Sequence, residues 1–334
     1  MQSAVQPARH RVAPVVTLLM LAPIIAEVLW GATPLTRLVF VIPEIGAYGC
    51  GALIIRALVR SQGKGWFAML LLGIAFALAE ECVILQTSLY PIFADPEHIY
   101  GRALGVNWIY LLWALGYESV WSIMLPIQLA ELLFPARSAD PWLGKRGLLI
   151  AGSFFLLASI VAWYSWTQLA VPSFYPYLNY QAPLLTIVIA LLAVAALAAA
   201  ALGLRPSIGA AQSTARLATQ PWLVSLVAFV SGLLWFGLLL LHYGIAPALP
   251  AVIPAVIALA VAFAMFSLVR YWSASSSWQN SQRLALIFGA LMASMLAGFW
   301  LSGIALPIDL IGKLVFNVIA VVGLACLAWK IRRR

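Results

Sequence analysis

The sequence predicts an all-α, polytopic integral membrane protein of about ten transmembrane helices, with both termini on the cytoplasmic side. Three observations predict it. The 334-residue chain is 64% hydrophobic and only 9% charged, with a mean hydropathy of +1.02, a balance that soluble domains do not keep. Apolar runs of about 20 residues, the length that crosses a bilayer, follow one another with short breaks. Lys and Arg gather in alternate breaks, as membrane topology requires.

The first run, 13–32, follows a short basic start, MQSAVQPARHRVAP. It is long enough to span, contains Glu27 and lacks an A-x-A cleavage site, so it reads as an uncleaved helix. Further spans are expected over 36–59, 66–90, 104–134, 147–170, 182–204, 221–242, 248–270, 283–303 and 307–329. Pro34, SQGKG, ADPEH, ADPWLGK, VPSFYPY, LRPSIG and APALP mark the breaks. The fourth run is the longest and implies tilt or an interfacial end. The chain thus divides into a basic cytoplasmic start (1–12), helices 1–4 (13–134), helices 5–10 (135–329) and a basic tail (330–334). Sequence repeats are not evident, although ten helices leave room for a hidden five-plus-five arrangement.

Orientation follows from charge. With the N-terminus inside, the inner breaks hold Arg9, Arg11, Arg60, Lys64, Arg137, Lys145, Arg146, Arg205, Arg216, Arg270, Arg283 and the Lys330–Arg334 tail, with Arg56 just inside the membrane. Only Arg37, Arg102 and Lys313 fall toward the outside. This places the protein in a plasma (inner) membrane. The outer breaks carry Asp95, Glu97, His98 and the aromatic stretch SFYPYLNY, an interfacial cap. The net charge of +9 therefore serves topology, not nucleic acid. Cys50, Cys82 and Cys326 each lie in an apolar run without paired or metal-ligand spacing, so no disulfide, metal or cofactor is expected.

The acids are unevenly placed. Glu27, Glu44, Glu80, Glu81, Glu118 and Glu131 all fall in helices 1–4, and not one Asp or Glu occurs between Asp140 and Asp309. Helices 1–4 therefore read as the functional half, with a glutamate-rich polar core, and helices 5–9 as scaffold. A carboxylate in hydrocarbon is costly and is tolerated for a reason. Glu80 and Glu81 fall about 15 Å below the outer end of the third run, at 1.5 Å per residue. Asn107 is eleven residues before Glu118, about three turns, and so is expected on its face. Glu131 is expected near the cytoplasm in a solvated role. Asp309 and Lys313 form an i,i+4 pair at the outer level, read as a structural pair or as an addition to the same cavity. Like charges that close cannot all be ionised at once, which makes proton or cation handling an expectation.

The Glu80–Glu81 pair resembles the first motif of the CAAX-protease and bacteriocin-processing (CPBP) family of intramembrane glutamic proteases. That family has EExxxR; here Leu85 stands at the arginine position, and His242 is followed four residues on by Ala246, where an HxxxN or HxxxD pattern would require Asn or Asp. The resemblance implies that Glu80 or Glu81 activates water, with Glu118 and Asn107 replacing the family's other helpers. Walker A, GxSxG, HExxH and DDxxD patterns are absent. Three functions stay open: an intramembrane hydrolase acting on a membrane peptide, a secondary transporter of a proton, cation or small cationic solute, and a non-catalytic assembly or immunity factor. The bilayer is the one partner common to all three.

Overall fold

The computed structural model of the chain describes residues 9–90, 100–174, 181–206 and 219–333. Asp95, Glu97, His98, Arg216 and most of SFYPYLNY lie outside the described residues. Helix α1 runs Arg9–Pro23 and continues through a π-helical turn, Ile24–Val28. It is followed by α2 (Leu35–Ser61), α3 (Trp66–Ile84) and α4, which comprises Trp108–Tyr117, a π-helical Glu118–Met124 and Leu125–Leu133. Then come α5 (Lys145–Ser173), α6 (Leu184–Gly203), α7 (Pro221–His242), α8 (Val252–Ser273), α9 (Asn280–Leu301) and α10 (Pro307–Arg332). Eight of these are long and apolar enough to cross a membrane; the apolar part of α1 is shorter, and α4 is the other one outside that set.

Two runs end differently from expectation. The third stops at Ile84, where Gln86 turns left-handed (φ 58°) and closes the helix. Glu80 and Glu81 therefore sit in the last turns of α3, not well below its end. The fourth run starts at Trp108, because a short antiparallel hairpin precedes it: β1 (Arg102–Ala103) pairs with β2 (Val106–Asn107). Leu104 (φ 53°) and Gly105 (φ 79°) form the two-residue turn, whose twin positive φ values suit a hairpin.

Prolines bend the helices locally. Pro126 and Pro172 each lack an N–H and crowd the carbonyl four residues back. Those carbonyls, of Ser122 and Gln168, lie inside the π-helical segments Glu118–Met124 and Tyr164–Ala170. Wide turns are the backbone's way of accommodating the missing bond.

Packing sorts the helices into centre and rim. One apolar cluster joins the end of α1 to α4, α7, α9 and α10, around a ring group of Trp30, Trp113, Tyr117, Trp121 and Phe236. Trp30 stacks on Phe236 at 4.9 Å, and Tyr117 stacks on Trp113 at 5.0 Å. A second cluster joins α1, α2, α3 and the last part of α4. Gly49 of α2 lets α1 approach so closely that a Cβ there would lie 2.6 Å from the Leu19 carbonyl oxygen. Helices α5, α6 and α8 have little buried surface and show leucine and phenylalanine outward, as Leu149, Leu192 and Phe263 do. In a bilayer that is the low-energy arrangement, since lipid tails solvate those side chains.

The basic residues gather at one end of the bundle. There Arg56 bonds carbonyls of the α4–α5 connection, and Lys64 reaches the Leu204 carbonyl after α6. At the opposite end, Thr36 at the start of α2 meets Asp309 of α10.

Candidate functional site

Five glutamates approach one another in the half of the bundle away from the basic end, and each stands in or beside a widened turn. Glu27 lies in the π turn Ile24–Val28, and Glu44 directly precedes the π turn Ile45–Gly49. Glu80 and Glu81 open the π turn Glu80–Ile84, and Glu118 opens Glu118–Met124. Each π turn spreads the backbone and turns the side chains after it away from the regular α register. Such bulges concentrate at functional sites. Here four helices carry one at the level of their carboxylates.

The side chains form a connected set. Tyr48 donates its hydroxyl to Glu80 Oε1 at 2.7 Å and also faces Glu27. Glu27 is within electrostatic range of Glu44, Glu80, Glu81 and Glu118, and Glu118 stands beside Glu80. Thr33 donates to Glu44, and Ser88 donates to Glu81 at 3.1 Å. Glu80, Glu81 and Glu118 are 4–6% exposed; Glu27 and Glu44 are half-buried. One oxygen each of Glu44, Glu80 and Glu118 is buried without a hydrogen-bond partner among the described residues, while Ser122 faces Glu118 and Ser294 faces the Tyr117 hydroxyl. The ion pairs among the described residues all belong to Glu131 or Asp140, so none neutralises these five glutamates. Among those residues, no three acidic, histidine or cysteine groups are arranged to hold a metal ion.

Asn107 is not in this set. It lies in β2, where its side chain donates to the Tyr90 carbonyl at 2.8 Å and accepts from Arg102 at 2.6 Å. The expectation that it shares a helical face with Glu118 fails because the helix begins one residue later. Asn107 instead ties the hairpin to the end of α3, where its N–H also donates to the Ser88 carbonyl. Ser88 thereby links Asn107 to Glu81 through its own side chain.

Asp309 and Lys313 do not pair with each other. Asp309 accepts the Thr36 N–H and hydroxyl, both at 2.9 Å, across to the start of α2. Lys313, 2% exposed, donates to the carbonyls of Leu29 at 2.7 Å and Trp30 at 2.8 Å. Those carbonyls end α1, just before Gly31 turns left-handed (φ 102°), and an ammonium there answers the negative end of the helix dipole. Phe299 covers the same ammonium at 4.8 Å.

Glu131 departs most from expectation. It is 1% exposed, not solvated, and three arginines converge on it. Arg56 reaches it at 3.1 Å, Arg60 at 2.8 Å and Arg283 at 3.4 Å. Arg56, also 1% exposed, lies 3.3 Å above the Trp142 ring and bonds the Ser138 and Asp140 carbonyls at 2.9 Å. In this second site, at the basic end, the carboxylate is fully paired and the arginine N–H groups bond named partners, although the positive charges outnumber the negative. The glutamate cluster has no such ion pair among the described residues.

Tyr48, Thr33, Ser88, Ser122 and Ser294 were not expected at the cluster. Two of them carried a signal: Tyr48 is four residues after Glu44, and Ser122 four after Glu118. The others come from loops and from α9, where no local pattern marks them. The fold and the site together define a class, a multi-pass membrane protein with an internal carboxylate cluster. The chain matches no known family model, no curated protein and no solved structure.

Proposed function

We propose that the chain is a proton-coupled membrane carrier that crosses the plasma membrane ten times with both termini in the cytoplasm. The glutamate cluster takes up and releases the coupling proton; the cargo is a cation or a small cationic solute. The observation that carries this reading is the set of buried, unpartnered oxygens on Glu44, Glu80 and Glu118, on helices widened at those residues. A buried carboxylate without a basic partner is neutralised by a bound proton or a bound cation. Widened turns in several helices at one depth also resemble the interrupted helices on which carriers build their sites. The ten-span topology is supported by the basic end of the bundle, where Arg60, Lys64 and Arg283 gather.

The hydrolase reading draws less support. Its expected helper, Asn107, is engaged with Arg102 and the Tyr90 carbonyl. Glu80 is engaged with Tyr48 and Glu118, and Glu81 with Ser88, and none of these is a donor placed to hold an oxyanion against a water-activating carboxylate.

The test is proton flux in liposomes. Purified protein is reconstituted around a trapped pH-sensitive dye, and a potassium diffusion potential, negative inside, is set with valinomycin. The wild type is expected to acidify the lumen faster than protein-free liposomes, with Glu80→Gln and Glu118→Gln falling to the protein-free rate. A wild-type rate equal to that of protein-free liposomes, across a panel of added cations, overturns the proposal.

A further inference from the structure

We infer that an anionic phospholipid occupies a lateral groove between α1 and α10, with one acyl chain in the groove and its phosphate at the basic end of the bundle. The groove has a volume of about 570 Å³. Its floor is apolar and buried, formed by Ile25, Leu29 and Leu324, and its rim is exposed, with Met20 at 40% and Ile319 at 62%. It therefore opens sideways, toward the hydrocarbon of the bilayer. Along α10 it runs from Phe316 to Leu327, about 16 Å at 1.5 Å per residue. That is about half of a ~30 Å hydrocarbon core, the depth that one leaflet's chains fill.

A groove that lies open along its length to hydrocarbon is filled by a flexible acyl chain.

Charge decides the headgroup. The groove's lower wall is formed by Leu129 and Leu133, which flank Glu131 on α4. At that level Arg56, Arg60 and Arg283 surround the single carboxylate, leaving two positive charges uncompensated. Arg283 is 24% exposed, the most open of the three, so its charge acts at the groove mouth. One turn beyond Leu327, the exposed Lys330 adds a third positive charge. A phosphate at this mouth gains electrostatic attraction that a zwitterionic headgroup largely cancels.

Gly323 gives a clean test. It lines the groove, and a Cβ there meets nothing within 4 Å. Gly323→Leu fills the groove with little effect on packing and favours the helix. Lys330→Gln removes an exposed charge and leaves the interior untouched. The full-length protein is placed in nanodiscs of equal phosphatidylglycerol and phosphatidylcholine, and lipids retained after mild detergent extraction are counted by native mass spectrometry. The wild type is expected to retain phosphatidylglycerol about fivefold over phosphatidylcholine, as expected from one basic residue near a lipid surface. Gly323→Leu is expected to reduce that retention severalfold, and Lys330→Gln to lower the preference while a chain is still held. Equal retention of both lipids by the wild type, or a preference unchanged by Gly323→Leu, overturns the inference. Neither result depends on proton flux, so this inference and the carrier reading fail separately.

Discussion

Replacing Glu131 by glutamine tests whether the arginine cluster holds the basic end of the bundle together. Glu131 and Arg56 are each 1% exposed, and the Arg60 and Arg283 side chains are 12% and 24% exposed. At separations of about 3–4 Å and an effective dielectric near 20, each arginine–carboxylate attraction is about 4 kcal/mol before desolvation is counted. Desolvation has already been met in the folded protein, so it offsets much of that sum while Glu131 is present. Remove the negative charge and three guanidinium groups face one another without it. Breaking a buried pair in this way costs about 3–5 kcal/mol. At about 2 °C per kcal/mol for a chain of this size, the thermal midpoint falls by roughly 6–10 °C. The assay is tryptophan-fluorescence unfolding in detergent, with Asp140→Asn as the comparison. The Arg137–Asp140 contact is 3.5 Å long with Asp140 55% exposed, a surface pair worth well under ~1 kcal/mol. If Glu131→Gln and Asp140→Asn shift the midpoint equally, the cluster is not a structural clamp.

Three other variants probe the same structure. Glu118→Gln, in the same assay, is expected to leave the midpoint unchanged or raise it, because a buried carboxylate with no basic partner and one unsatisfied oxygen destabilises the fold that holds it; a loss of several kcal/mol would mean that its contacts with Glu80 and Ser122 hold the helices together. Gly298→Ala drives a methyl group into the Trp30 carbonyl oxygen and to 2.8 Å from Lys313 Nζ, so a loss of about 1–3 kcal/mol is expected by chemical unfolding. An unchanged midpoint there would show that α9 and the end of α1 are less tightly joined than the contact implies. Gln86→Gly relieves the left-handed residue (φ 58°) that ends α3 and is expected to stabilise by about 1 kcal/mol, measured as a higher midpoint; a lower midpoint would show that the Gln86 side chain contributes more than the strain costs.

The apolar runs were legible because a bilayer imposes a length and a hydropathy that few other environments allow. The crowding of acids into the first four helices was legible for the same reason, since each costs free energy there. What the sequence hid was phase and partnership. From Asn107 to Glu118 and from Glu118 to Glu131, a constant 3.6-residue period fails. The first interval starts in a hairpin, and the second crosses the π turn Glu118–Met124. Partnership was hidden by distance along the chain. Glu131 meets Arg60 across 71 residues and Arg283 across 152, spans over which no local pattern extends. The i,i+4 spacing of Asp309 and Lys313 did suggest a partner, but the wrong one. Each is drawn to a group on the first two helices that would otherwise be left without a counterpart.

The bond from Lys313 to the end of α1 sets an order of assembly. The Leu29 carbonyl and the ammonium that caps it are 284 residues apart. At about 5–20 residues added per second, the ribosome needs roughly 15–60 s between the two. Throughout that interval the first helix sits in the membrane with its last carbonyls held by something else, water or a lipid headgroup. Only when α10 arrives does Lys313 take the place of that substitute. A chain truncated before residue 313 therefore keeps every glutamate of the cluster but not the lock on the helix that carries Glu27.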